Sequence, residues 1–424
     1  MQDADVIVVG LGTAGAALAH HAARQGLSVI GLERRALDQA GARWINGVAR
    51  WMFAEAAIDA PEAPELAGGG HAFHMLLGRG PERVVVRDHE VLEVDMRHLV
   101  ARLQRLARES GAELQEGVTV LGLEGQTVVT SSGRFRGRTV VDASGLAGPG
   151  LLGRTRPRAS DLCVAAQEVR ELVDERGAEE FFGAHDARMG ETVCFTAVAG
   201  GYSIVNVRVS EGTVSLLTGS IPGDGRPSGR KLLDDFVREQ PWIGRTLFGG
   251  ARSIPIDRPR VRLAEGRVAL LGDSASQVFG AHGSGIGPGL VAARLLAEVL
   301  AGEPEELHEY SARWFHEYGG TVLAADVLRR FSESLTPEDL RVLLDTGLMN
   351  EVTARATMEQ RTPPIGVALL AQTRWRALVA RPDLAARVGR LATRTPAARL
   401  LAKSYPRSAR RVGAWSRAAA SLLG

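Results

Sequence analysis

Only two cysteines occur in the 424 residues, Cys163 and Cys194, and their spacing suggests neither a metal site nor a redox pair. A reducing, cytoplasmic setting is the simplest expectation. Lysine is almost missing. Lys231 and Lys403 are the only two among 51 basic residues, so chemistry that needs a buried catalytic lysine has almost no candidates. There is no run of eighteen apolar residues to read as a transmembrane helix. "MQDADVIVVG" enters a strand pattern at once, without the charged-then-apolar leader of a cleaved signal peptide. His71 and His74 stand three positions apart in "GGGHAFHM", but no third ligand accompanies them and no metal is expected. Internal repeats and low-complexity tracts are absent as well.

What remains is the composition of an ordinary globular protein, 45% hydrophobic and 24% charged, long enough for two or three domains. The net charge of +2 is unevenly spread. From Arg374 to Gly424 twelve basic residues face Asp383 alone, a local charge of +11 that leaves about −9 for the rest. The segment alternates Leu, Val and Ala faces with arginines and includes Trp415. Two readings follow: an Arg-rich helical cap on an acidic body, or a peripheral contact with a membrane surface or an acidic partner. Nucleic acid is not expected, since no aromatic-interleaved basic sheet or recognition helix accompanies the charge.

The first strong motif is "DVIVVGLGTAGAALAHHAARQGLSVIGLERR". An apolar run, a glycine turn, an Ala-rich helix and a second apolar run follow one another, with the spacing Gly10-x-Gly12-x-x-Gly15. Gly10 suits the tight turn, Gly12 lets backbone approach a pyrophosphate, and Gly15 with Ala19 lets helix and sheet pack closely. Thr13 and Ala14 open the helix, whose N-terminus presents free N–H groups and a positive dipole end to phosphate. Glu33, eighteen residues after Gly15 and followed by Arg34, is placed to accept hydrogen bonds from ribose hydroxyls. Its charge disfavours the 2′-phosphate of NADP but does not separate NAD from FAD.

Two later segments bear on that choice. "GRTVVDASGLAG" is an apolar strand ending in Asp142-Ala-Ser-Gly145, and "EGRVALLGDSASQVFGAHGSGIG" is another, ending in Gly272-Asp273 and a glycine loop. With these three motifs in this order, residues 1 to about 305 resemble the flavoprotein group that holds geranylgeranyl reductases, aromatic-ring hydroxylases and flavin-dependent halogenases. The resemblance implies FAD as cofactor. It implies an α/β fold with a discontinuous Rossmann-type FAD-binding domain, a β-sheet substrate domain and a C-terminal helical region. It also implies that Asp273 contacts the ribityl–pyrophosphate side, that Gly283, Gly285 and Ile286 lie along the flavin edge, and that Arg97 meets the pyrophosphate. Val118 is implied on the adenine side through its backbone, and Arg43 is a further candidate.

The expected organisation is residues 1–155 for the first part of the FAD domain, 156–250 for a β-rich substrate domain and 251–305 for the closing part. A helical region follows at 306–424, basic after 374 and punctuated by prolines from Pro304 to Pro406. "AGGYSIVNVRV" resembles the GGY-aromatic strand of geranylgeranyl reductases without its usual aromatic and Phe-Pro. Tyr202 is therefore a candidate substrate residue, together with Trp44 and Asn46.

The chemistry narrows by departures. The halogenase lysine and Trp-x-Trp-x-Ile-Pro segment are missing. The Asp-Ala-Ser-Gly turn fits reductases better than hydroxylases, while the loop has Gly280 where both keep a proline. The leading expectation is reduction or dehydrogenation of a small apolar, unsaturated substrate, isoprenoid- or polyketide-like, by hydride transfer at flavin N5. The alternatives are an FAD monooxygenase using NAD(P)H and oxygen, and a flavin-binding partner protein without turnover. No second GxGxxG is present, so NAD(P)H is expected only as a transient donor. His282, the one titratable residue of the loop, is the candidate proton donor or hydrogen-bond partner.

Overall fold

A strand covered on both faces reads as continuous apolar sequence, and Val29–Leu32 is buried at every position. The computed structural model describes residues 2–153, 157–302, 306–364 and 378–423. The expected boundaries at 155 and 305, and Pro304, Arg374 and Arg376, lie outside them. Gln2–Val9 sits in the middle of an eight-stranded sheet, parallel to Val29–Leu32 on one side and to Gly133–Asp142 on the other. Glu113–Gln115 and Val268–Leu270 extend it in parallel, and Val120–Glu124 and Thr127–Thr130 form an antiparallel meander onto Gly133–Asp142. Segments from the start, middle and late parts of the chain thus share one sheet. Helices Thr13–Arg24, Met96–Glu109 and Ile286–Ala301 pack together beside it.

The second sheet has seven strands, in the order Ile243–Pro255, Leu162–Leu172, Thr213–Ser220, Ser203–Ser210, Thr192–Thr196, Phe73–Leu77 and Arg83–Val86. Its last two strands come from within 1–155, and Ile243–Pro255 runs past 250, so the linear division of the sequence does not follow the sheets. Phe73–Leu77 joins by pairing in parallel with Thr192–Thr196, more than a hundred residues away. Side chains alternate across this sheet with period two. Val193, Phe195, Val205, Val207 and Leu216 enter a core capped by helices Glu175–Ala184 and Gly229–Glu239. Cys194, Thr196, Ile204, Asn206 and Leu217 face a cleft on the other side. A three-stranded sheet of Ile45–Ala49, Val91–Asp95 and Leu66–Gly69 completes the β-structure.

The remainder is helical. Thr336 and Asp339 form a capping box at the start of Pro337–Thr346, with Pro337 in the first turn, and Asn350 caps Glu351–Met358 in the same manner. Helix Pro382–Lys403 packs on Gly320–Glu333, the Tyr405 ring stacks on Phe315 at 4.3 Å, and Trp415 closes the cluster. The basic C-terminal segment is therefore a folded cap that buries its own apolar stripe. Among the described residues no helix is long and apolar enough to cross a membrane.

Candidate functional site

The first glycine turn works as its spacing predicts. Gly10 has φ +93°, and a Cβ there would lie 2.7 Å from the Ala143 carbonyl oxygen. A Cβ on Gly15 would lie 1.9 Å from the Gly10 oxygen, so helix and strand touch through bare backbone. Gly12 caps helix Thr13–Arg24 without a side-chain hydrogen bond, and Gly12, Thr13 and Ala14 line the cleft. The first N–H groups of that helix are left for a ligand. Buried Glu33 also lines the cleft, its carboxylate accepting from Leu11 N at 3.0 Å and Arg35 N at 3.2 Å. Arg34 and Arg43 border the same end, Arg43 donating to the Asp38 carbonyl.

The other two motifs are knotted together. The Asp142 carboxylate accepts from Ser144 N at 3.1 Å and Leu151 N at 3.1 Å, shaping the Asp-Ala-Ser-Gly turn. Gly145 N donates to Ser274 Oγ at 2.9 Å, joining that turn to the Gly272-Asp273 turn. Asp273 accepts from Arg252 Nη2 at 3.3 Å, and its other oxygen is 3.1 Å from where a Gly285 Cβ would sit. Gly145, Gly272, Asp273, Gly283, Gly285 and Ile286 all line the cleft. The donors and carboxylates gathered here, at a helix start without a side-chain cap, fit a dinucleotide such as FAD.

The glycine loop departs from a simple row of free N–H groups. Phe279 pairs with Ser284 as an isolated bridge, and Gly283 N donates back to the Phe279 carbonyl at 3.0 Å. Part of the loop's donor set therefore closes the loop itself. The free donors lie at the start of Ile286–Ala301, where Pro288 falls in the first turn and costs no intrahelical bond. The His282 ring lies tilted against Phe279, 4.9 Å between centroids, and its Nε2 donates to the Thr357 carbonyl at 3.0 Å. Burial pushes its pKa down to about 4, so at neutral pH the ring is uncharged and its one N–H is engaged. The N–H expected to serve flavin or substrate is engaged by Thr357 in this structure.

Trp44, Asn46 and Tyr202 line the cleft, and the Tyr202 hydroxyl lies 3.2 Å from where a Cβ on Gly283 would be. Burial raises the pKa of Tyr202 well above its usual value, which keeps the hydroxyl neutral. From this point the cavity, about 1080 Å³ in all, extends into the helical region. Leu328, Phe331, Leu343, Met349, Met358 and Leu391 wall that arm, and each described residue lining it from 328 onward is apolar, Ser or Thr.

Arg97 and Val118, implied at the cofactor, fall outside the lining, as does Gly15, which packs helix on strand as its spacing predicts. The Arg97 guanidinium is held by Asp95 at 2.6 Å and lies 3.7 Å over the Phe248 ring, directed at protein rather than at the pyrophosphate end. Val118 spends its N–H on the Glu33 carbonyl at 2.9 Å, and its side chain is core. Conversely, the sequence offered no sign of Arg252, of Ser274, or of Gln104, which bonds the carbonyls of Leu11 and Leu37 at 3.0 Å from inside the core. Each is a polar residue whose partner lies far along the chain. His74, one of the paired histidines, is bound to Glu191 at 3.0 Å.

No family model matches the chain. Digeranylgeranylglycerophospholipid reductase 2 of Methanopyrus kandleri is 27% identical over 80% of this chain and 89% of its own length. A geranylgeranyl bacteriochlorophyll reductase-like protein of Thermoplasma acidophilum shares the fold at a TM-score of 0.72 and 18% identity, over 91% of this chain and all of the other. The flavin-dependent brominase Bmp2 does so at 0.61 and 14%, over 86% of this chain and 95% of its own. With the three motifs converging on one cleft, and with these likenesses running along most of the chain, the protein is similar to reductases of the geranylgeranyl type and shares the fold of FAD-dependent oxidoreductases.

Proposed function

We propose that the protein saturates carbon–carbon double bonds in a long apolar chain of the isoprenoid class. The observation that carries this is the division of the cavity: its charged lining is confined to the dinucleotide end, and the arm in the helical region has none. An uncharged arm of this kind rewards burial of hydrocarbon and penalises a polar or ionic substrate. The relatives named as digeranylgeranylglycerophospholipid reductases support the same class.

In this reading the backbone of Gly12, Thr13 and Ala14 holds the pyrophosphate, and Glu33 takes the ribose hydroxyls. Gly145, Gly272 and Asp273 flank the ribityl chain, and the start of helix Ile286–Ala301 faces the flavin edge. When bound and reduced by its electron donor, FAD would supply a hydride, and a proton completes each saturated bond. Trp44, Asn46 and Tyr202 orient the chain where the arm meets the loop. NAD(P)H, visiting without a domain of its own, is the assigned electron donor.

The test is anaerobic. The flavin is reduced with NADPH or NADH, and geranylgeraniol or a geranylgeranylated lipid is added. Reoxidation with a gain of two hydrogens per bond by mass spectrometry supports the reading. Reoxidation only in air, with an oxygen added to the product, would establish the monooxygenase instead. A flavin that no nicotinamide reduces would count against both.

We infer in addition that the cap meets an anionic membrane surface, where such a substrate resides. Arg381 and Arg387 are neutralised by Asp339, at 2.7 and 2.9 Å. Arg399, Lys403, Arg407, Arg410, Arg411 and Arg417 are exposed and enter no ion pair among the described residues, with exposed Leu400 between them. An acidic-body cap accounts for the first two and not for the six. Sedimentation with phosphatidylglycerol vesicles but not phosphatidylcholine vesicles, reversed by salt, is expected. Equal binding to both, or to neither, would overturn it.

A further inference from the structure

Two hydrogen bonds join the glycine loop to the wall of the apolar arm. His282 Nε2 donates to the Thr357 carbonyl at 3.0 Å, and Gln360 Nε2 donates to Ser284 Oγ at 3.1 Å. On the far side Thr357 lies in the last turn of helix Glu351–Met358 and Gln360 in the turn just after it; Thr353, Ala354, Thr357 and Met358 of the helix line the arm. The Thr357 carbonyl also accepts the backbone N–H of Gln360 at 2.9 Å, so the two bonds share one anchor. Gln360 is 1% exposed and left-handed at φ +55°. A non-glycine residue is held there only when its surroundings over-determine it. Beyond Gln360 the helix end is tied to the first domain, Trp51 Nε1 donating to the Glu359 carbonyl at 2.8 Å.

We propose that His282 and Gln360 are positioning residues that couple occupancy of the apolar arm to the placement of the glycine loop at the flavin edge. The inference rests on the reading above, in which the arm holds the chain and the loop meets FAD. A hydrocarbon entering the arm packs against Ala354, Thr357 and Met358. Any displacement of that helix end acts on His282 and Ser284 directly, because no flexible segment intervenes. The loop in turn carries Gly283 and Gly285, against which Tyr202 and Asp273 are set. Reactive flavin would thus be tuned by the presence of a substrate, and an empty arm would leave the loop in a different balance.

Coupling of this kind is reciprocal, so the affinity of the arm must depend on the redox state of the flavin. The experiment measures the Kd of geranylgeraniol for the holoprotein, oxidised and dithionite-reduced, without oxygen. For the wild type the two values are expected to differ about fivefold or more, and in His282→Ala and Gln360→Ala by less than about twofold. His282→Gln, whose amide reaches toward the same carbonyl as a donor, should restore much of the difference. A purely structural role would weaken both redox states alike and leave their ratio unchanged, which would overturn the inference. Equal Kd values in the wild type would overturn it too. Absence of any geranylgeraniol binding would instead remove the substrate reading on which it rests. If His282→Ala fails to hold FAD, Ser284→Ala, which removes only the acceptor of Gln360, carries the same comparison.

Discussion

The two ends of the cavity are built from different materials. At the dinucleotide end the lining is largely backbone, shaped by Gly10, Gly12, Gly145, Gly272 and Gly283 and trimmed with a few charges. In the helical region the lining is side chain: leucines, methionines and a phenylalanine, with no turn chemistry and no charge. A backbone site tolerates little added bulk: a Cβ on Gly10 would lie 2.7 Å from a carbonyl oxygen, and Gly10, Gly145, Gly272 and Gly283 all hold the positive φ that side chains disfavour. A side-chain site is tuned by volume, since flexible neighbours adjust and hydrocarbon has no directional demand. The first end is suited to one invariable cofactor and the second to a class of chains.

That contrast can be broken most severely at the glycine end. Gly15→Ala should abolish FAD retention and soluble folding together, since its Cβ would sit 1.9 Å from the Gly10 oxygen. Flavin stoichiometry and the thermal midpoint of the purified protein check it. A stable, yellow variant would mean that helix and strand can separate at no cost. Filling the arm should act differently. For Met349→Trp the KM for a geranylgeranyl chain is expected to rise by about tenfold or more while FAD stays stoichiometric. A five-carbon prenyl analogue serves as control and should be affected least.

Acid should weaken the contact between the two ends. The folded pKa of His282 is depressed to about 4, so its neutral form is favoured by folding. Its contribution is fully present above the unfolded value of about 6.5 and is lost as the pH falls through about 4, a span on the order of 3 kcal/mol. Buried His21 titrates with the same sign, its pKa also lowered to about 4, chiefly by desolvation. His282→Gln should therefore show a smaller drop in Tm between about pH 7 and pH 5 than the wild type. An unchanged drop would assign the acid sensitivity to the other histidines that burial holds low, His21, His20, His71 and His89. The smallest effect is expected at the knot of the two turns. Ser274→Ala removes the acceptor of Gly145 N and should weaken FAD binding about fivefold, read by fluorescence on reconstitution.

Much of the dinucleotide end was legible because its constraints are local. A glycine at a fixed offset from a strand, and an acid at the end of the next one, reflect requirements met within a single strand–turn–helix–strand unit. Pro288 is legible for the same reason, as a residue fit for a helix's first turn. Arg97 shows the limit. The resemblance implies a pyrophosphate contact for it, but its direction is set by Asp95 and by the Phe248 ring on a strand of the second sheet. Phe73–Leu77 is a second case: nothing local in the sequence shows that it pairs with Thr192–Thr196.

The sequence by itself determined the cofactor-type cleft and the parallel sheet around it, because short-range spacing and apolar runs encode those directly. Only the tertiary structure decided what lies opposite the flavin loop. The arm, the latch between His282 and Thr357 and the sorting of the C-terminal arginines into paired and unpaired all join residues dozens to hundreds of positions apart. Hydrophobic packing sets such meetings, and because it is non-directional, no local pattern records them.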